Sequence, residues 1–328
     1  MLNKDSIFRR LKISGKVLLI TVLSLLSGWS YGLELAGFLT AHDPSTIVYE
    51  DGKYYVFYTG RGIKVKTSAD LRTWNETKPV FNTRLGWWNN VVSNFNGSLW
   101  APDLVKVNDR WYLYYSVSSF GKNRSAIGLA VNKTLNPSSP EFKWEDRGAV
   151  IESFPTNNFN AIDPAVLPDG DKLWLVFGSW WSGIKLIELD KSTGKRISEK
   201  SPVYSLASAH KNDIEAPYLY KHGKYYYLFV NWGLCCRGIN STYEIRVGRS
   251  EKVTGPYLDK DGKDMRNGGG TLFLETRGRR IGAGHIAITE AGGKKYCSYH
   301  YYDRENNGRP TLMIDEIEWD DQGWPVVK

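Results

Sequence analysis

Cysteine and methionine are scarce here, three of each among 328 residues. Three cysteines, Cys235, Cys236 and Cys297, cannot make a disulfide framework. Their spacing does not resemble a zinc site. The adjacent pair Cys235 and Cys236 is open between a bridge and free thiols. Stretches with a helical apolar period are also few, which argues against a helical bundle. A basic stripe is missing too. The formal net charge is +8, but Lys4, Arg9, Arg10, Lys12 and Lys16 against Asp5 put half of it in the first 32 residues. The rest holds no recognition motif of the helical or zinc type, so no nucleic-acid partner is expected.

The long apolar run is confined to the N-terminus. "VLLITVLSLL", residues 17–26, follows the basic stretch and is short for a bilayer span. With Ser30-Tyr31-Gly32 after it, residues 1–32 read as a secretory signal, the alternative being an uncleaved anchor. No cysteine follows the run for lipid attachment. The expectation is a secreted or periplasmic protein with no membrane partner after cleavage.

Aromatic residues make up 14% of the chain, and 32 residues are glycine. Both suit strands joined by tight turns. Short runs such as "KYYVFYT", "RWYLYYSV" and "KLWLVFGSW" dominate. A unit recurs five times, starting at His42, Trp100, Asn160, Asp213 and Gly282. Each has a polar start, a strand, a turn, an aromatic strand and a third strand. The turns lie at Asp51-Gly52, Asn108-Asp109, Asp169-Gly170-Asp171, His222-Gly223 and Gly292-Gly293. These residue types tolerate the positive φ of hairpin turns. Trp74 and Trp144 suit a fourth, outer strand. The fold class is therefore all-β, a five-bladed β-propeller of four-stranded antiparallel blades over residues 33–328. A β-sandwich would leave the recurring polar starts unexplained.

In a propeller the starts of the innermost strands surround one mouth. Asp43, Asp103, Asp163, Glu215 and His285 should meet there, in a shared register. Asp43 ("HDPS"), Asp163 ("IDPA") and Glu215 ("IEAP") each precede a proline directly or by one residue, which holds the strand start extended. Each alone could be a turn or strand cap; their recurrence favours chemistry. Crowded carboxyls raise at least one pKa, as acid–base chemistry requires. Asp103 reads as structural. Trp100, Phe120, Asn160, Ser179, Trp180 and Trp181 are expected to contact substrate, with Ser182 beside them. Adjacent strand residues face opposite ways, so one of Trp180 and Trp181 should face the pocket. His285 is either a buried core histidine or a metal ligand.

The stretches "AHDPSTIVYEDGKYYVFYTG", "LWAPDL", "FNAIDPAVL", "GSWWSGIKL", "NDIEAPYLY", "NWGLCCRGINSTYEIRVGRS" and "GAGHIA" resemble the endo-α-1,5-L-arabinanases of glycoside hydrolase family 43. The resemblance implies inverting hydrolysis of arabinan, with Asp43 as general base, Glu215 as general acid and Asp163 orienting Glu215. In inverting enzymes the base and acid stand roughly 6.5–9.5 Å apart. It also implies an ion, often calcium, at His285. The expected partner is linear or debranched arabinan, and the expected state a monomer. An exo-acting α-L-arabinofuranosidase or β-xylosidase is the alternative on the same fold. A non-catalytic carbohydrate-binding propeller is the alternative from another class.

Overall fold

Five two-residue turns organise the chain. Glu50 pairs with Lys53, Val107 with Arg110, Asp169 with Lys172, His222 with Tyr225 and Ala291 with Lys294. The first turn residues, Asp51, Asn108, Gly170, Gly223 and Gly292, have φ between 48° and 58°. That is the left-handed region which hairpin turns use. In this computed structural model, residues 32–209, 211 and 213–328 are described. The expected signal lies outside the described residues apart from Gly32.

Each hairpin joins the two inner strands of one blade. The innermost strands are Val48–Glu50, Ser98–Val107, Ala165–Asp169, Ile214–His222 and Arg280–Ala291. Third and fourth strands follow in order, giving five antiparallel blades. Two blades gain a short extra strand: Ala36–Gly37 runs parallel to Thr73–Trp74, and Gly60–Arg61 pairs with Ser98–Leu99. The first residues of the propeller also close the ring. Leu33 N–H donates to Ile314 O, Leu312 N–H to Leu39 O and Ala41 N–H to Pro310 O. One segment thus joins the first blade to the third strand of the last. Apolar side chains such as Leu186, Leu228, Ile245 and Ile288 pack in the core of the later blades.

The entry to each innermost strand repeats one backbone feature. Asp43, Ala101, Asp163, Ala216 and His285 all have left-handed φ, between 44° and 59°. Each N–H donates to a side chain of the preceding blade. The acceptors are His300 Nδ1 for Asp43, Thr59 Oγ1 for Ala101, Ser116 Oγ for Asp163, Asp163 Oδ2 for Ala216 and Asn231 Oδ1 for His285. Strand register jumps at this place in three blades. Such a bulge re-aims side chains. The next residue is proline in four blades, where a missing N–H breaks no ladder bond.

This corrects the shared register expected from sequence. Asp43, Asp163 and His285 are equivalent to one another and to Ala101 and Ala216. Glu215 stands one residue earlier, in the place of His42 and Trp100. Asp103 stands two residues later. It is 3% exposed and accepts the Thr46 N–H at 3.0 Å and the Val166 N–H at 2.9 Å, tying its strand to the innermost strand of the third blade and to the segment that enters the innermost strand of the first. Burial pushes its carboxyl up to about 6, against the opposing pull of those N–H groups. Each buried group left without a partner costs about 1–3 kcal/mol. Asp103→Ala should therefore lower the unfolding free energy in urea by roughly 2–4 kcal/mol.

Candidate active site

The innermost strand starts and the loops beyond them enclose a cavity of about 870 Å³. Asp43, Asp163 and Glu215 line it, and among the described residues no other acid does. Thr59 Oγ donates to Asp43 Oδ2 at 2.6 Å, and His42 Nδ1 lies 2.8 Å from the same oxygen. Asp43 Oδ1 lies 3.6 Å from His285 Nδ1 and 3.7 Å from His300 Nδ1. Burial alone would raise this carboxyl. The charge and hydrogen bond of His42, with His285 and His300, outweigh burial and hold it well below the ordinary range.

Glu215 has the opposite balance. Ser179 Oγ donates to its Oε2 at 2.6 Å, and the Tyr243 hydroxyl donates to its Oε1. Burial dominates and, with the Asp43 charge, pushes the carboxyl up to about 7 although Ser179 pulls it down. Asp163 is raised well above its ordinary value too. Burial comes first, then the charges of Glu215 and Asp43, against one hydrogen bond from the Ala216 N–H. That bond, 3.2 Å long, ties Asp163 to the residue after Glu215. One carboxyl is thus held well below the ordinary range while the other two are raised above it. Such a pair of unlike environments separates a base from an acid.

Trp100, Phe120, Asn160, Ser179, Trp180 and Trp181 all line the cavity. Phe120 is 78% exposed, a ring at the rim. Asn160 Oδ1 already accepts from Ser125 Oγ, and Ser179 already serves Glu215, so both are partly committed. Ser182 is not in the lining; its hydroxyl donates to Asn158 O. Both tryptophans of "GSWWSGI" line the cavity, against the strand-alternation argument. They sit in a turn, with φ of 55° and 44°, so alternation does not apply. Buried Lys185 holds that turn through Ser182 O at 2.8 Å. Trp88 is core, and Trp232 lies under the Arg246 guanidinium.

Several cavity residues were not expected there from the sequence. His42, Thr59, Tyr243 and the cysteine pair all line the cavity. The signal for His42 was its place beside Asp43, one residue before the left-handed position, as Glu215 is. Tyr243 carries no local signal. Cys235 and Cys236 are bonded to each other, and Cys297 is a buried free thiol.

His285 is half-buried and contributes one ring nitrogen beside one Asp43 oxygen. Burial keeps its imidazole below the ordinary value despite the pull of Asp43. This donor set fits a cation that keeps most of its ligands as water. His42, Asp43 and His300 also bring ligand atoms within 4.8 Å of one another. Within that group His42 Nδ1 is bonded to the Asp43 carboxylate, and His300 Nδ1 accepts the Asp43 N–H.

Carboxyls split in this way, beneath a tryptophan-walled cavity at the mouth of a five-bladed propeller, define a glycoside hydrolase. Comparison with known proteins supplies the family. The description "Glycosyl hydrolases family 43" matches residues 38–325, and the chain belongs to that family. It is 44% identical over 299 residues to an extracellular exo-α-(1→5)-L-arabinofuranosidase of Cellvibrio japonicus, covering 87% of this chain and 86% of that one. It is 44% identical over 291 residues to an extracellular endo-α-(1→5)-L-arabinanase of Bacillus subtilis, with 87% and 86% covered. The solved Cellvibrio cellulosa α-L-arabinanase complexed with arabinohexaose is similar at TM-score 0.85 and 43% identity, over 88% of this chain and 96% of that one.

Proposed function

We propose that this protein is an exported endo-α-1,5-L-arabinanase that cleaves internal linkages of arabinan with inversion. The carrying observation is the split between an ionised Asp43 and a Glu215 raised to about 7. Asp43 takes a proton from water as the water oxygen bonds to the anomeric carbon. On the opposite side the glycosidic C–O bond breaks, and Glu215 gives its proton to the departing oxygen. Asp163 orients the Glu215 segment by accepting the Ala216 N–H. Trp100, Trp180 and Trp181 offer ring faces to the sugars, with Phe120 at the rim. A calcium ion at His285 would be held by the imidazole and water, and would supply positive charge near Asp43.

Export rests on the extracellular naming of both relatives and on the basic and apolar start of the chain. The naming of one relative as exo-acting gives a second reading. Product sizes from debranched linear arabinan separate the two. A ladder of oligosaccharides from the first minutes is expected; arabinose alone from the start would establish the exo reading. Binding without release of reducing ends at any pH from about 4 to 9, a span that reaches from the ordinary carboxyl value past the raised value of Glu215, would leave a carbohydrate-binding propeller.

A further inference from the structure

Behind Asp43 runs a chain of hydrogen bonds that ends at the vicinal disulfide. His42 Nδ1 lies 2.8 Å from Asp43 Oδ2, and His42 Nε2 lies 2.9 Å from Tyr302 Oη. The Cys236 N–H donates to the same Tyr302 oxygen at 2.7 Å. Directions follow from chemistry. A carboxylate only accepts, so His42 Nδ1 carries a proton and donates to Asp43. Tyr302 Oη receives the Cys236 N–H and is bonded to His42 Nε2. The His42 ring is also stacked on His300, 4.3 Å between centroids. Both nitrogens and one face are therefore committed.

The far end is fixed by the cysteines. Cys236 has φ of 64°, a conformation that side chains with a Cβ seldom adopt. Its bond to Cys235 ties the two residues into one ring, and neighbouring contacts hold the loop: Thr242 N–H to Leu234 O and Arg237 N–H to Ser241 Oγ. Cys235 and Cys236 line the cavity, whereas Tyr302 is buried behind it.

The geometry points to His42 as the positioning residue of Asp43, locked through Tyr302 by the Cys235–Cys236 disulfide. It deepens the reading of Asp43 as general base and rests on it. His42 fixes the carboxylate's rotation, so that Oδ1 faces the water while Oδ2 is held by His42 and Thr59. The disulfide sets the direction of one N–H, and the chain passes that constraint to the base.

The test measures kcat and KM separately on debranched arabinan for His42→Ala, His42→Asn and Tyr302→Phe. Small displacements of a reacting group cost up to about 10²-fold, so His42→Ala should lose about that in kcat with KM little changed. The asparagine amide can replace the Nδ1–H donor, and His42→Asn should recover about tenfold over alanine. Tyr302→Phe keeps the ring and should lose about tenfold in kcat. Unchanged kcat in His42→Ala or Tyr302→Phe overturns the proposal. So does a rise in KM at constant kcat, which makes His42 a substrate contact. Equal loss in the asparagine and alanine variants overturns it as well.

Wild-type enzyme treated with dithiothreitol gives an arm free of folding defects. The chain has three cysteines, so the reagent has one disulfide to reduce. The disulfide takes two electrons and two protons to become two thiols, and the reagent becomes its cyclic disulfide. Thiol counting verifies the step. Expected is a severalfold, reversible fall in kcat that is absent in the Cys235→Ser/Cys236→Ser double variant. Full reduction without loss of kcat removes the disulfide from the chain of constraint. Full activity in Asp43→Asn would instead overturn the base assignment itself, a separate failure.

Discussion

Glu215→Gln should lower kcat on debranched arabinan by on the order of 10²–10⁴-fold, the range that general acid–base groups contribute. Glutamine keeps the shape; its carbonyl oxygen accepts from one of the two hydroxyls, Ser179 or Tyr243, and its amide NH2 donates to the other, so the fold and KM should hold. The loss follows from the leaving group. An arabinose hydroxyl leaves poorly as an alkoxide and needs its proton as the bond breaks. The raised carboxyl of Glu215 carries that proton up to about pH 7. Activity should therefore decline as pH rises through that value, because the acid becomes ionised. The Ser179 hydrogen bond favours the ionised form. Ser179→Ala should move the alkaline limb of kcat to higher pH, and a limb that stays or falls would show that another group sets it.

The repeat and its hairpins were legible because turns are local. Asp51-Gly52 and Gly292-Gly293 announce φ > 0 by residue type, and the strands beside them are apolar runs. The three acids were legible for a related reason, since proline marks the bulge at which the strand enters the channel. Their register was not. Asp43 and Glu215 look alike beside their prolines, yet Asp43 occupies the left-handed position and Ala216 takes it in the fourth blade. A bulge that inserts one residue leaves no mark in composition. The strand rule failed at Trp180 and Trp181 because a turn, held by Lys185, replaces the strand. His42, Tyr302 and Cys236 were missed for a topological reason. Tyr302 lies 260 residues from His42 and 66 from Cys236. Ring closure through residues 33–41 sets the last blade against the first, and no local pattern reports that contact.

Asp43→Asn should abolish hydrolysis to a similar depth, and the substrate shows why the two losses differ in kind. In the proposed mechanism Glu215 is needed only as far as the leaving group needs a proton. An aryl arabinobioside departs as a stable phenolate, so Glu215→Gln should regain most of its lost rate on that substrate. In the proposed mechanism Asp43 serves the other half of the displacement. Its anion, favoured by His42, His285 and His300 in spite of burial, would remove the proton from the attacking water. A neutral amide in that place leaves the water unactivated whatever group departs. Asp43→Asn should thus remain inactive on both the polymer and the aryl substrate. The contrast between substrates, read as kcat/KM for each variant, distinguishes acid from base without appeal to either residue's surroundings. Recovery of Asp43→Asn on the aryl substrate, with Glu215→Gln silent on it, would exchange the two roles. That outcome would also contradict the opposite directions in which the two carboxyls are shifted.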